Sequence, residues 1–70
     1  MTQKEMILKY IEMNGSITTL EAMRKLLILD PQKPIQLLRQ EGYKIKDRYI
    51  VKRNIYGEKR AFKRYYLEKE

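Results

Sequence analysis

Up to Glu41 the apolar residues of this chain recur every three or four positions, and from Ile45 onward they alternate with polar ones. The first spacing is the period of a helix with one buried face, and the second is that of a strand. From Gln3 to Asn14, Ile7, Leu8 and Ile11 with Met6, Tyr10 and Met13 form an apolar stripe opposite Lys4, Glu5, Lys9 and Glu12, which predicts an amphipathic helix. Thr2 with Glu5 three residues later has the spacing of a capping box, and Asn14-Gly15 supplies a stop, since Gly accepts a left-handed conformation without steric penalty.

Ser16-Ile17-Thr18 is too short for more than one bridge of sheet. Thr18 and Glu21 then repeat the capping-box spacing, so a second helix starts there, with Leu20, Met23 and Leu27 as its apolar stripe, Ala22 and Leu26 widening it, and Arg24 and Lys25 outward. Leu27-Ile28-Leu29 makes a tight connection to Asp30-Pro31, a helix-start pair. Pro34 deletes a backbone donor, so either Pro31 to Lys33 is a loose lead-in or the helix begins at Pro34. The expected third helix runs from about Lys33 to Glu41, with Ile35 and Leu38 inward, Gln32, Lys33, Gln36, Arg39 and Gln40 outward, and Gly42 at its end.

In the alternating part, Ile45, Tyr49 and Val51 share one face, as do Ala61, Tyr65 and Leu67 in a second run. Ile55-Tyr56-Gly57 has the length and closing glycine of a three-residue hairpin loop, a type I turn followed by a left-handed residue. That loop would pair Val51 with Ala61, Lys52 with Arg60, Ile50 with Phe62 and Arg48 with Arg64, setting like charges opposite one another. The expected organisation is a single α+β domain over residues 1–70, with a helical part (1–42), a two-stranded basic hairpin (43–67) and a short charged tail (68–70) that frays.

Charge sharpens this picture. Between Tyr43 and Tyr66 nine cations face two carboxylates, Asp47 and Glu58, so this stretch carries the whole formal net charge of +7. Outside it, seven cations balance seven carboxylates. A field of one sign concentrated in one ribbon identifies an anionic partner, with nucleic acid first and an anionic surface or acidic protein after it.

Composition narrows the chemistry. Seventy residues bury a small core, and the chain has neither Cys nor His, so thiolate and imidazole chemistry and the usual metal ligands are missing. An enzyme is not expected, nor a cofactor or metal. No run approaches the ~20 apolar residues of a membrane span, and the charged N-terminus is unlike a signal peptide, so a cytoplasmic location and no membrane partner are expected.

Three helices, the last two joined by a short turn and followed by a basic hairpin, make the winged helix-turn-helix order. The segments ILKYIEMNGSITTLEAMRKL, IQLLRQEGYKI and NIYGEKRAFKRYYL carry a closer likeness. Asn14 to Thr18 with Glu21 and Ala22, the run Leu38 to Tyr43 with Ile45, Asn54 with Gly57, and Tyr65 with Leu67 resemble a family of small winged helix-turn-helix domains common in phages and prophages. The resemblance covers nearly the whole chain. It implies double-stranded DNA binding in a prokaryotic cell, with the third helix in the major groove and the hairpin, the wing, on backbone or minor groove. The chain departs from the family at Pro34, where an arginine usually precedes the helix isoleucine.

The candidate DNA-binding residues follow. Gln36 and Arg39 can make paired bonds to base edges, although Arg39 can equally pack its stem on the core and pair with Glu41 or a wing carboxylate. Gln32 and Lys33, at the helix entrance, suit phosphate. Lys52, Arg53, Lys59, Arg60, Lys63 and Arg64 can neutralise phosphates, against the reading of a merely solvated strand face. Asn54 and Tyr56 sit at the tip, where Asn54 is also what a turn requires. Thr18 is expected as a cap rather than a phosphate ligand, and Tyr10, Tyr43, Tyr49 and Tyr65 as core and rim packing. The expected activity is that of a transcriptional regulator or a recombination directionality factor. The competing reading is a protein-binding inhibitor of host machinery that uses the basic hairpin. A second copy of the chain and a host or phage protein are further candidate partners, with Met6, Met13, Leu29 and Ile55 as dimer contacts if exposed.

Overall fold

The computed structural model describes residues 1–68. In chain order the elements are α1 (Gln3–Asn14), β1 (Ile17–Thr18), α2 (Thr19–Leu26), α3 (Gln32–Gln40), β2 (Ile45–Arg53) and β3 (Lys59–Leu67). Both capping boxes form. Thr2 caps α1 and Thr18 caps α2, each side-chain oxygen accepting the N–H of the glutamate three residues on, and Gly15 closes α1 in the left-handed region.

The third helix starts one residue earlier than expected. Gln32 opens it, Asp30 Oδ1 accepts the Gln32 N–H at 3.3 Å, and the Ile35 N–H reaches the Pro31 carbonyl at 3.1 Å. Pro34 therefore lies in the first turn, where backbone N–H groups have no intrahelical acceptor, and its missing donor does not interrupt the helix. At the other end Tyr43 N–H bonds to the Leu38 carbonyl and Gly42 N–H to that of Arg39, a Schellman closure with Gly42 at φ 103°.

The connection between α2 and α3 corrects the expected apolar stripe. Leu27 is not on it: the residue adopts φ 57° and ψ 33°, and its side chain is 81% exposed. This left-handed step turns the chain so that the Ile28 N–H reaches the Ala22 carbonyl and the Ile28 side chain enters the core. Ala22 is the residue of α2 that is buried, and Met23 is exposed.

The sheet has three antiparallel strands in the order β1-β3-β2, not the two of a free hairpin. Ile17 and Thr18 form two pairs, with Tyr65 and Arg64, so the short strand makes more than the single bridge expected of it. The β2–β3 register agrees with the loop-based expectation, including Val51 with Ala61, Ile50 with Phe62, Lys52 with Arg60 and Arg48 with Arg64. At the tip, Gly57 N–H bonds to the Asn54 carbonyl and Asn54 N–H to that of Glu58, with Gly57 at φ 79°. β3 ends at Leu67, and the Glu68 N–H still bonds to the Lys44 carbonyl at 2.9 Å; Lys69 and Glu70 of the expected tail lie outside the described residues.

The core gathers Ile7 and Ile11 of α1, Ile17, Ala22, Ile28, Ile35 and Leu38 of α3, and Ile45 and Tyr65 of the sheet. All of its sheet residues lie near the open end of the hairpin. From Val51 to Ala61 every residue is exposed, so the distal wing projects beyond the core with both faces in solvent. Tyr49, expected to pack, is 68% exposed, and Tyr43 is also exposed.

Candidate nucleic-acid interface

Strand alternation divides the wing into two faces. Tyr65 and Ile45 mark the face turned to the core and α3; Asp47, Tyr49, Val51 and Arg53 share it on β2, with Lys59, Ala61 and Lys63 on β3. The opposite face carries Lys46, Arg48, Ile50 and Lys52 paired with Tyr66, Arg64, Phe62 and Arg60. Five of the cations are thus on the face turned away from α3, and no carboxylate of β2 or β3 accompanies them.

On the α3 side, Gln32, Lys33 and Gln36 are exposed along the helix. Arg39 is engaged: its Nε donates to the Ile45 carbonyl at 3.0 Å and its Nη2 to Asp47 Oδ2 at 3.2 Å. The same carboxylate lies 4.0 Å from Lys63 Nζ, which is also 5.4 Å from the centre of the Tyr49 ring. Arg39 is therefore anchored by a wing carboxylate, the alternative left open by its sequence position. Gln32, Gln36, Arg39, Asp47 and Lys63 line one polar depression between α3 and the wing.

At the tip, Asn54 serves the turn. Its Oδ1 accepts the N–H groups of Tyr56 at 2.9 Å and Glu58 at 3.1 Å. Arg53 Nη1 donates to the Gly57 carbonyl at 2.8 Å, and Arg60 Nη2 lies 3.8 Å from Glu58. Lys52 and Lys59 have no ion-pair or side-chain hydrogen-bond partner among the described residues. Tyr56 is exposed. Two consecutive cross-strand pairs, Lys52 with Arg60 and Arg53 with Lys59, thus put cations on both faces of the projecting tip.

Among the described residues no buried side-chain polar atom lacks a partner. Glu21 receives the Thr18 N–H at 2.9 Å and the Tyr10 hydroxyl at 3.1 Å; burial works against its charge, but these bonds hold its carboxyl below the usual range. The Thr19 hydroxyl donates to the Lys63 carbonyl at 3.3 Å, fixing the start of α2 to the wing. Burial pushes the Tyr65 phenol up. Among the described residues no cluster of acidic side chains could hold a metal ion, and no helix is long and apolar enough to cross a membrane.

Arg24 and Lys25 were not among the sequence candidates. They line a groove with Lys52 and Arg64 that the sequence pattern alone does not bring together, because nothing in α2 specifies which face of the wing it meets.

This order of elements, with an α2–turn–α3 unit against a three-stranded sheet and a projecting hairpin, is matched in sequence. A family profile described as a winged helix-turn-helix domain covers residues 2–70. The chain belongs to the winged helix-turn-helix domain family. Searches of curated proteins and of solved structures returned no match. Membership in this winged helix-turn-helix family points to DNA as the partner and makes α3 and the wing the elements to test.

Proposed function

We propose that this chain binds double-stranded DNA, with α3 in the major groove and the wing tip against the backbone or minor groove beside it, and acts as a phage-type transcriptional regulator or recombination directionality factor. The observation that carries the reading is the tip: Lys52, Arg53, Lys59 and Arg60 lie on both faces of a ribbon that the core does not need. A ribbon charged on both faces meets phosphates whichever side it presents. Lys33 and Gln32 add phosphate contacts at the start of α3, and Gln36, exposed one turn on, offers its amide to base edges. Arg39, held by Ile45 and Asp47, contributes mainly by fixing α3 to the wing. Lys63 and Arg64, further from the tip, extend the field on opposite faces.

The test is a salt titration of binding to a random duplex by fluorescence anisotropy, with the wild type beside Lys59→Ala/Arg60→Ala. The expected slope of log affinity against log salt is about −3 to −6, shrinking by roughly 2 in the double variant. Absence of binding at low salt would overturn the DNA reading. The competing reading, a protein-binding inhibitor of host machinery, draws on Arg39 being tied down, which leaves α3 with few groups for base readout.

A further inference from the structure

The wing's second face meets α2 in a groove of about 290 Å³. Its floor is apolar: Leu20, Ile50 and Phe62 are half-buried there. Its rim is cationic: Arg24 and Lys25 from α2 face Lys52 and Arg64 from the wing. The one carboxylate in the lining, Glu21, accepts from the Thr18 N–H and the Tyr10 hydroxyl and also feels the charge of Arg64, so the rim keeps three cations that it does not offset, Arg24, Lys25 and Lys52. Arg48 continues the field along the same face, stacked at 5.4 Å over Tyr66.

We propose that this groove binds an acidic peptide segment of a protein partner, one that places a large apolar side chain on the Ile50–Phe62 floor and its carboxylates on the rim. Charge complementarity selects an anion, and the floor selects among anions. A phosphate backbone has no group with which to cover Leu20, Ile50 and Phe62, whereas a peptide with an apolar anchor removes that surface from water. Because Arg24 and Lys25 lie on α2 and Lys52 and Arg64 on the face away from α3, the peptide and a duplex seated on α3 can be held together when the duplex meets the wing through Arg53, Lys59 and Lys63. The assignment of the groove is independent of the DNA reading; simultaneous binding rests on it.

The experiment uses the full chain, labelled with ¹⁵N, and two synthetic Asp/Glu-rich peptides of equal length and charge. One carries a Leu and a Phe, and the other has Ser in both places. The anchored peptide should shift the amides of Leu20, Ile50 and Phe62 and bind at least about tenfold more tightly than the Ser control, the difference that burying such side chains provides. Arg24→Gln/Lys25→Gln should weaken it about tenfold while leaving duplex affinity within about threefold. Equal affinity of the two peptides would overturn the proposal, since charge alone would then be recognised. So would a random duplex that shifts the groove amides in place of those of Lys33, Gln36 and Lys59. A chain that binds the anchored peptide in the groove but no duplex would retain this proposal and lose the DNA reading.

Discussion

Asp47→Asn separates the two roles that the cations around α3 can have. Asp47 Oδ2 receives Arg39 Nη2 at 3.2 Å and lies 4.0 Å from Lys63 Nζ, and the three side chains are 40%, 31% and 30% exposed for Arg39, Asp47 and Lys63. At this exposure each ion pair contributes roughly 0.2–1 kcal/mol. Arg39 keeps its bond to the Ile45 carbonyl in the variant, so it does not swing away from the core. The expected loss of stability is about 1 kcal/mol or less, read as a fall in Tm of at most about 4–8 °C for a domain of this size. Duplex binding should move the other way. Removing the carboxylate takes a negative charge from the depression between α3 and the wing and leaves Arg39 Nη2 and Lys63 Nζ without their shared acceptor, each cation able to add about 0.9 to the salt slope if it meets a phosphate. The variant should bind a random duplex more tightly at low salt, with a slope steeper by about 1 to 2. Anisotropy titrations across salt and thermal unfolding followed by circular dichroism measure both quantities on one preparation. Weaker binding with an unchanged slope, in a variant whose Tm has moved only within that range, would refute the reasoning and make the Arg39–Asp47 pair a part of DNA recognition.

Three further outcomes follow from the backbone and the caps. Leu27→Gly should stabilise the domain by about 0.5–1 kcal/mol, because it relieves a left-handed residue worth roughly 1–2 kcal/mol of strain and offsets part of that with a looser unfolded chain; denaturant unfolding checks it. Gly57→Ala should cost about 1–2 kcal/mol at φ 79° although open space surrounds the added methyl, and Gly57→Asn should cost less, both read from Tm. For Glu21, whose folded carboxyl titrates below its ordinary value, the stabilisation is fully present above the unfolded pKa of about 4.3 and is lost as pH falls through the folded value. Glu21→Gln keeps an acceptor for the Thr18 N–H, so stability between pH 7 and pH 3 should fall less steeply than in the wild type.

Local signals made much of this fold legible. Two capping boxes and Gly15 bound the first helix and start the second, and the Ile55-Tyr56-Gly57 loop fixed every cross-strand pair of the wing, because loop length and the left-handed glycine leave one register. What stayed illegible was long-range or unmarked. β1 is two residues long and its partners lie far along the chain, so no periodicity could announce a third strand. Leu27 takes a left-handed turn without a glycine or asparagine to flag it, and its spacing from Leu20 and Met23 mimicked a core position. Pro34 obstructs a helix counted from Pro31, in which it would be the fourth residue; Pro31 is instead the N-cap, which leaves Pro34 third, in the first turn. Arg39 kept the right residue type for base readout, yet the fold brought Asp47 to it across the junction. The division of the wing's charge was readable from alternation, but a summed charge of +7 concealed that most of the strand cations face away from α3.

That division bears on why the wing carries so unfavourable a pattern. Arg48 faces Arg64, Lys52 faces Arg60 and Arg53 faces Lys59, and like charges directly opposite one another destabilise a sheet. Near the core the chain has local relief. The Tyr66 ring lies beside Arg48, and Lys63 has both the Tyr49 ring and Asp47. At the tip the relief is thinner: Glu58 stands beside Arg60, while Lys52 and Lys59 have no such partner among the described residues. The repulsion is therefore least compensated in the part of the ribbon that contributes nothing to the core. A partner that supplies negative charge on both sides of the tip turns the same pairs from a local destabilisation into a binding term. The free wing is then expected to be the least stable part of the sheet, gaining order on the duplex.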